Sequence, residues 1–85
     1  MRMQLQVEFN DETKKDVKII MADMVKFESE QNISIAKLGQ EGKVTHLLWL
    51  AWSALTREKQ TTQGFDAWVE TVASIGAVDP KASKG

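Results

Sequence analysis

The feature that most constrains the fold is the segment from Val44 to Glu58, which contains neither glycine nor proline. Its apolar residues recur with the 3.6-residue period of a helix that buries one stripe. That stripe consists of Val44, Leu47, Leu48, Ala51, Trp52 and Leu55. We therefore predict a helix over 44–58 and place it at the centre of the domain, because no other segment predicts a helix as strongly.

A period of two replaces the helical period near the start of the chain. The apolar residues of the first segment alternate with polar ones, as in a strand with one buried face: Met3, Leu5, Val7 and Phe9. Residues 10–13 have turn chemistry, and alternation then resumes at Val17, Ile19 and Met21. The pattern predicts a β-hairpin. Helices must cover its apolar face, because an isolated hairpin is only marginally stable in water.

The remaining segments predict two further helices and a tail. Met21, Met24 and Phe27 recur at a spacing of three and predict a short helix over 22–31, followed by an ordered loop over 32–43. A last helix is predicted from residues 62–64 onward, with one apolar face formed by Phe65, Trp68, Val69 and Val72. We expect one folded α+β domain over residues 1–75, an antiparallel hairpin packed against three α-helices. Residues 76–85 are expected to form a flexible tail.

Composition limits the classes of function. The 85 residues are 42% hydrophobic and 27% charged, as in a folded domain, and there is no cysteine. A net charge of -1 gives no overall attraction to nucleic acid or to an anionic membrane. The hairpin lysines, Lys14, Lys15 and Lys18, are interrupted by acids and predict a solvated strand edge that discourages pairing. The longest apolar run, 47–52, is too short to span the hydrocarbon core of a membrane, which is about 30 Å thick. We expect a cytoplasmic protein.

The polar residues do not form a recognisable catalytic or metal-binding pattern. His46 is the only histidine, and no carboxylate or hydroxyl lies three or four residues away to orient it. We therefore expect it at the surface or at a helix start. Asp66 and Glu70 fit a solvated helix face, and the acids of residues 11–16 lack the spacing of a calcium loop. We expect no enzymatic activity, no cofactor, no metal and no small-molecule substrate.

The central helix is more apolar than a single buried stripe requires. On a helical wheel Trp49 and Leu50 fall on opposite flanks of the stripe and leave a narrow polar arc. Either the helix is surrounded by the rest of the domain, or a flank is exposed until a partner covers it, and both can hold together. The candidate protein-binding residues are Trp49 and Leu50 with the polar arc, which is His46, Ser53 and Arg57. Trp52 and Trp68 lie on or beside the stripes and are expected in the core.

The motifs of this helix and its successor resemble a known family. Leu48-Trp49-Leu50-Ala51-Trp52-Ser53-Ala54-Leu55, followed by Phe65-Asp66-Ala67-Trp68, is similar to the tail assembly chaperones of long, flexible-tailed bacteriophages. Val25-Lys26-Phe27-Glu28 and Ser34-Ile35 are similar too, so the likeness extends over nearly all of the predicted domain.

The resemblance implies a protein of the infected host cell's cytoplasm that is absent from the mature virion. Such a chaperone binds the tape-measure protein, keeps it soluble and helps to recruit tail-tube subunits. Frameshifting in many such phages also gives a longer product, of which this chain would be the short form. Small proteins of this kind often form symmetric homo-oligomers.

Two other functions are weighed against the chaperone. A structural head-tail joining or minor tail protein would use the same apolar helix for permanent assembly. A small regulatory nucleic-acid binder is disfavoured by the net charge.

Overall fold

The computed structural model describes residues 3–38 and 43–78. Three antiparallel strands form one sheet, and helices pack on it, so the α+β class is confirmed. In chain order the elements are β1 (Met3–Phe9), β2 (Lys14–Ile19), α1 (Met21–Gln31), a 3-10 turn (Ile35–Lys37), α2 (Val44–Arg57), α3 (Phe65–Val69) and β3 (Val72–Val78). No helix in these described ranges is long and apolar enough to cross a membrane.

The N-terminal hairpin forms as its alternating pattern predicts. Leu5 pairs with Val17 across the two strands, and both are buried on the face that the helices cover. Asp11 organises the turn, since its Oδ1 accepts hydrogen bonds from the Thr13 backbone N–H (3.0 Å) and hydroxyl (2.6 Å). The second strand ends at Ile19. Met21, expected in that strand, is the first residue of α1.

The third strand was not predicted from the sequence. The apolar face of residues 65–72 favoured a helix, but α3 ends at Val69, and the Thr71 backbone N–H and hydroxyl both donate to the Trp68 carbonyl, at 2.9 and 2.7 Å. The chain then runs extended beside β1, giving the sheet order β2-β1-β3. The β-branched residues Val72, Ile75 and Val78 favour a strand here, and Gly76 disfavours a helix.

This strand changes the domain boundary. The predicted domain ended at residue 75, but β3 continues to Val78, so residues 76–78 belong to the sheet and not to a flexible tail. Asn10 joins the hairpin turn to the segment before β3, because its backbone N–H donates to the Thr71 carbonyl (2.9 Å) and its Nδ2 to the Glu70 carbonyl (2.8 Å). Residues 79–85 of the expected tail lie outside the described residues.

Helix α2 occupies the centre, as predicted. It contacts all three strands and both other helices, and most of the buried apolar side chains lie between it, α1 and one face of the sheet. Helix α1 begins one residue before the predicted start and ends where Asn32 adopts a left-handed conformation (φ 57°). The buried apolar core consists of Leu5, Val7, Val17, Ile19, Met24, Phe27, Leu38, Leu48, Leu50, Ala51, Ala54, Leu55 and Trp68.

Candidate protein-binding surface

A row of half-buried rings crosses the surface from the start of α2 to the start of α3. We call this set the aromatic row: His46, Trp49, Trp52 and Phe65. Trp49 and Trp52 are 6.1 Å apart between ring centroids, and Trp52 and Phe65 are 5.6 Å apart with their planes at 72°. The three residues of α2 lie at a spacing of three, which places them on adjacent turns of one helix face.

The fully buried ring of Phe27 supports one end of this row. Its centroid lies 5.6 Å from that of His46 and 6.1 Å from that of Trp49. Such inclined and edge-on contacts are favourable for aromatic rings beyond the area that they bury. Phe27 belongs to α1, whereas His46 and Trp49 belong to α2. Contacts between the two helices therefore fix the orientation of the rings in this row.

His46 lies at the start of a helix, in agreement with the sequence-based expectation. The Lys43 backbone N–H donates a hydrogen bond to His46 Nδ1 at 3.1 Å, at the first turn of α2. The imidazole thus caps the helix and places an edge at the surface beside Trp49.

The three tryptophans have different environments. Trp68 is only 2% exposed and lies edge-on to Phe9, so its predicted core position is confirmed. Trp52 was also expected in the core, but it is half-buried, and its indole N–H donates to the Gln63 carbonyl at 3.0 Å. Trp49 is half-buried too, and within residues 3–38 and 43–78 its indole N–H has no hydrogen-bond partner. Trp49 therefore leaves part of its ring at the surface.

Two of the predicted binding residues face the interior. Leu50 is fully buried, and Ser53 is 5% exposed, so neither is available to a partner in this fold. The predicted stripe marks one side of α2. In the structure the sheet and α1 both pack against the helix, and the buried arc is rotated toward Leu50 and away from Trp52. This rotation explains why Leu50 lies in the core and Trp52 at its edge.

Arg57, the last predicted binding residue, is held by an ion pair within the chain. Its Nε and Nη2 donate to Oδ1 and Oδ2 of Asp23, each at 3.0 Å, and this hydrogen bonding raises the pKa of Arg57. Asp23 is 2% exposed and also accepts from the Ile20 backbone N–H at 3.1 Å, which satisfies the start of α1. Arg57 therefore joins α2 to α1.

A small groove runs beside the aromatic row, above this ion pair. It measures about 190 Å³, and its walls include Ala22 and Lys26 from α1 and Trp52 and Thr56 from α2. Lys26 is exposed at the rim. An apolar side chain entering the groove would contact the Trp52 ring with a positive charge close by.

A second apolar depression lies at the opposite end of α2, against the third strand. We call it the β3 groove; it measures about 350 Å³ and is lined mainly by Val44, Leu48, Val69, Val72 and Ile75. Val44 is 64% exposed, which is high for a valine next to a core. This groove could not be predicted from the sequence, because Val72 was expected on the apolar face of a helix and not in a strand.

No set of three His, Asp or Glu side chains within the described ranges could hold a metal ion. Comparison with known proteins gives no further assignment: no protein-family model, no curated protein and no solved structure matches this chain.

Proposed function

We propose that this chain is a tail assembly chaperone of a long, flexible-tailed bacteriophage. It binds the tape-measure protein in the host cytoplasm, keeps it soluble and helps to recruit tail-tube subunits. The proposal rests on the resemblance of residues 48–55 and 65–68 to that family, and on the three rings that these segments contribute to the aromatic row, those of Trp49, Trp52 and Phe65.

The aromatic row carries the proposal because its chemistry suits a long apolar helical partner. Tryptophan is enriched among the residues that dominate binding energy, since a rigid ring buries a large area and loses little conformational freedom. The rings of Trp49 and Trp52 are fixed by Phe27, by each other and by the bond to the Gln63 carbonyl. A partner therefore meets a preorganised surface, which lowers the entropy lost on binding.

Co-expression with the tape-measure protein of the same phage genome tests this function. The wild-type chain should keep the tape-measure protein in the soluble fraction and co-purify with it. Trp49→Ala should weaken that binding by about 30-fold or more, which corresponds to roughly 2 kcal/mol. Trp49→Phe, which retains a ring, should restore part of the affinity.

Val25→Ala is the matched control, because Val25 is an apolar residue that is 60% exposed on α1 and lies outside the aromatic row. It should bind as the wild type does. Circular dichroism must show that every variant is folded. A tape-measure protein that remains insoluble with folded wild-type chain would refute the chaperone function, whereas equal losses in Trp49→Ala and Val25→Ala would refute the assignment of the surface.

The alternative, a structural component of the virion, predicts a different location. Mass spectrometry of purified particles should show no stoichiometric copy of the chain if it is a chaperone, while infected-cell lysate should contain it abundantly. Stoichiometric presence in the particle would instead establish a head-tail joining or minor tail protein.

A further inference from the structure

The exposed side of α2 has the residue spacing of a surface that receives a second helix. Thr45 and Thr56 are exposed at its two ends, and the half-buried Trp49 and Trp52 lie between them. The four residues follow one another at intervals of four, three and four, which is the repeat along which two helices pack side by side. The surface therefore fits an α-helix that lies along α2, and this orientation brings the helix past the small groove beside Trp52.

This groove carries one positive charge that is not neutralised within residues 3–38 and 43–78. Asp23 lines the groove, but it is 2% exposed and already accepts hydrogen bonds from Arg57 and from the Ile20 backbone N–H. Arg57 is neutralised in turn by Asp23 and, at 3.7 Å, by Glu58. Lys26 is exposed at the rim and forms no ion pair in those ranges. The groove therefore presents an ammonium group to an incoming partner.

The groove suits a side chain that is apolar along its stem and negative at its end. Its apolar walls are the Trp52 ring and Ala22, and its volume of about 190 Å³ has room for one side chain. α2 carries no acidic residue over Val44–Arg57, so nothing on this helix repels a carboxylate. A glutamate or aspartate that enters here lays its methylene groups on Trp52 and brings its carboxylate to the ammonium group of Lys26. Partial exclusion of water by the ring strengthens such a pair relative to one at an open surface.

We infer that the partner segment is an amphipathic helix that lies along α2, with apolar residues on Trp49 and Trp52 and an acidic side chain paired with Lys26. The inference rests on the proposed function, because the tape-measure protein is the source of this helix. Apolar contact alone leaves the position of a helix on the surface open. A single charge pair fixes its register and direction, and it excludes segments that bring a lysine or arginine to the same point.

Overlapping peptides from the tape-measure protein of the same phage genome are the probe, and fluorescence anisotropy measures their affinity for the full chain. The wild type should bind a peptide that has Asp or Glu among apolar residues at helical spacing. Lys26→Glu should weaken that binding by about tenfold or more, because two carboxylates then meet in the groove. Lys18→Glu is the matched control and should bind as the wild type does. Lys18 is exposed between the buried Val17 and Ile19, so it lies on the face of the sheet opposite the helices.

A neutral variant separates the charge of Lys26 from its packing. Lys26→Met keeps most of the aliphatic stem and removes the ammonium group. It should weaken peptide binding about threefold, and it should lose most of the decline in affinity that the wild type shows as salt is added. Urea denaturation should find Lys26→Met as stable as the wild type, because the side chain is exposed and lies outside the core. A loss of affinity caused by unfolding is thereby recognised.

A charge exchange locates the contact. Each acidic residue of the bound peptide is replaced by lysine in turn, and one of these changes should weaken binding to the wild type as much as Lys26→Glu does. The same peptide should regain affinity for Lys26→Glu, because opposite charges then meet again, and it should gain nothing with Lys18→Glu. Rescue by Lys26→Glu alone assigns the pair.

Failure of this inference is distinguishable from failure of the proposed function. A wild type that binds no peptide and leaves the tape-measure protein insoluble removes both. A wild type that binds, with Lys26→Glu and Lys18→Glu binding equally well, overturns the charge pair alone and leaves the chaperone function standing. Bound peptides without an acidic residue, or a peptide lysine that Lys26→Glu does not rescue, overturn it too. So does a Lys26→Glu variant that changes only self-association in sedimentation equilibrium, since a second copy would then occupy the groove.

Discussion

Replacing Asp23 by alanine should destabilise the protein strongly, because this carboxylate joins two helices from a buried position. It accepts two hydrogen bonds from Arg57 at 3.0 Å and one from the Ile20 backbone N–H at 3.1 Å. A hydrogen bond to a charged group contributes about 1.5–3 kcal/mol, and a helix cap about 1 kcal/mol. The Arg57 side chain is 33% exposed and regains water when its partner is lost, which reduces the sum. We expect Asp23→Ala to lower the free energy of unfolding by about 2–3 kcal/mol.

A double-mutant cycle measured by urea denaturation isolates the pair. Arg57→Met keeps most of the aliphatic stem but leaves Asp23 buried without its cation. It should also lower the free energy of unfolding by about 2 kcal/mol. The double variant should cost less than the sum of the two, with a coupling of about 1–2 kcal/mol. Glu58→Ala is the control, because Glu58 Oε2 lies 3.7 Å from Arg57 Nη2 at the surface. Such a pair contributes about 0.5 kcal/mol or less to the free energy of unfolding.

Three results would refute this reasoning. A loss below about 0.5 kcal/mol for Asp23→Ala would show that water replaces the three hydrogen bonds at no cost. Full additivity in the cycle would show that the two residues act separately. If Arg57→Met weakened tape-measure binding while leaving stability intact, the guanidinium would be a partner contact after all.

Three further predictions concern single sites. Trp68→Ala should lower the free energy of unfolding by about 3–5 kcal/mol in chemical denaturation, and Trp52→Ala by about half as much, because only Trp68 is fully enclosed. Equal losses would contradict the difference in burial between the two rings. Thr13→Ala should raise the pKa of Asp11, which the Thr13 hydroxyl and backbone N–H hold below 3.8, as followed by carboxyl NMR titration. Because folding lowers the pKa of Asp11, this contact stabilises the turn above pH 3.8. The stabilisation is lost as the pH falls through the pKa of the folded state. Lys59→Gly should stabilise the protein by about 1 kcal/mol in thermal unfolding, because Lys59 holds a left-handed conformation (φ 61°) after α2; no gain would contradict strain there.

The elements predicted correctly are those whose backbone hydrogen bonds join residues close in sequence. The hairpin follows from alternation and turn residues, and α2 from an uninterrupted helical period. β3 could not be predicted in this way, because Val69, Val72 and Ile75 fit both a helix face and an extended strand. What decides between them is pairing with β1, whose residues lie more than sixty positions earlier in the chain. Local periodicity carries no information about that partner.

Only part of the candidate surface was predicted, because the sequence does not show which elements pack against α2. A helical wheel shows which residues share a side of α2, but not how many neighbouring elements cover it. Trp49 and His46 are half-buried, whereas Leu50 is buried because neighbouring elements cover α2 more widely than one stripe requires. The role of Arg57 depended on Asp23, and no local spacing links residues that are 34 positions apart.

The central position of β1 in the sheet has a consequence for folding during synthesis. Its first neighbour, β2, follows after a four-residue turn, but its second neighbour is made some sixty residues later. At roughly 5–20 residues per second, a ribosome needs about 3 to 12 s to supply β3. Throughout that interval the second edge of β1 has no partner from its own chain. Neighbouring ribosomes on one messenger RNA would then offer β3 strands from other copies, so slow or crowded translation should favour dimers that have exchanged this strand.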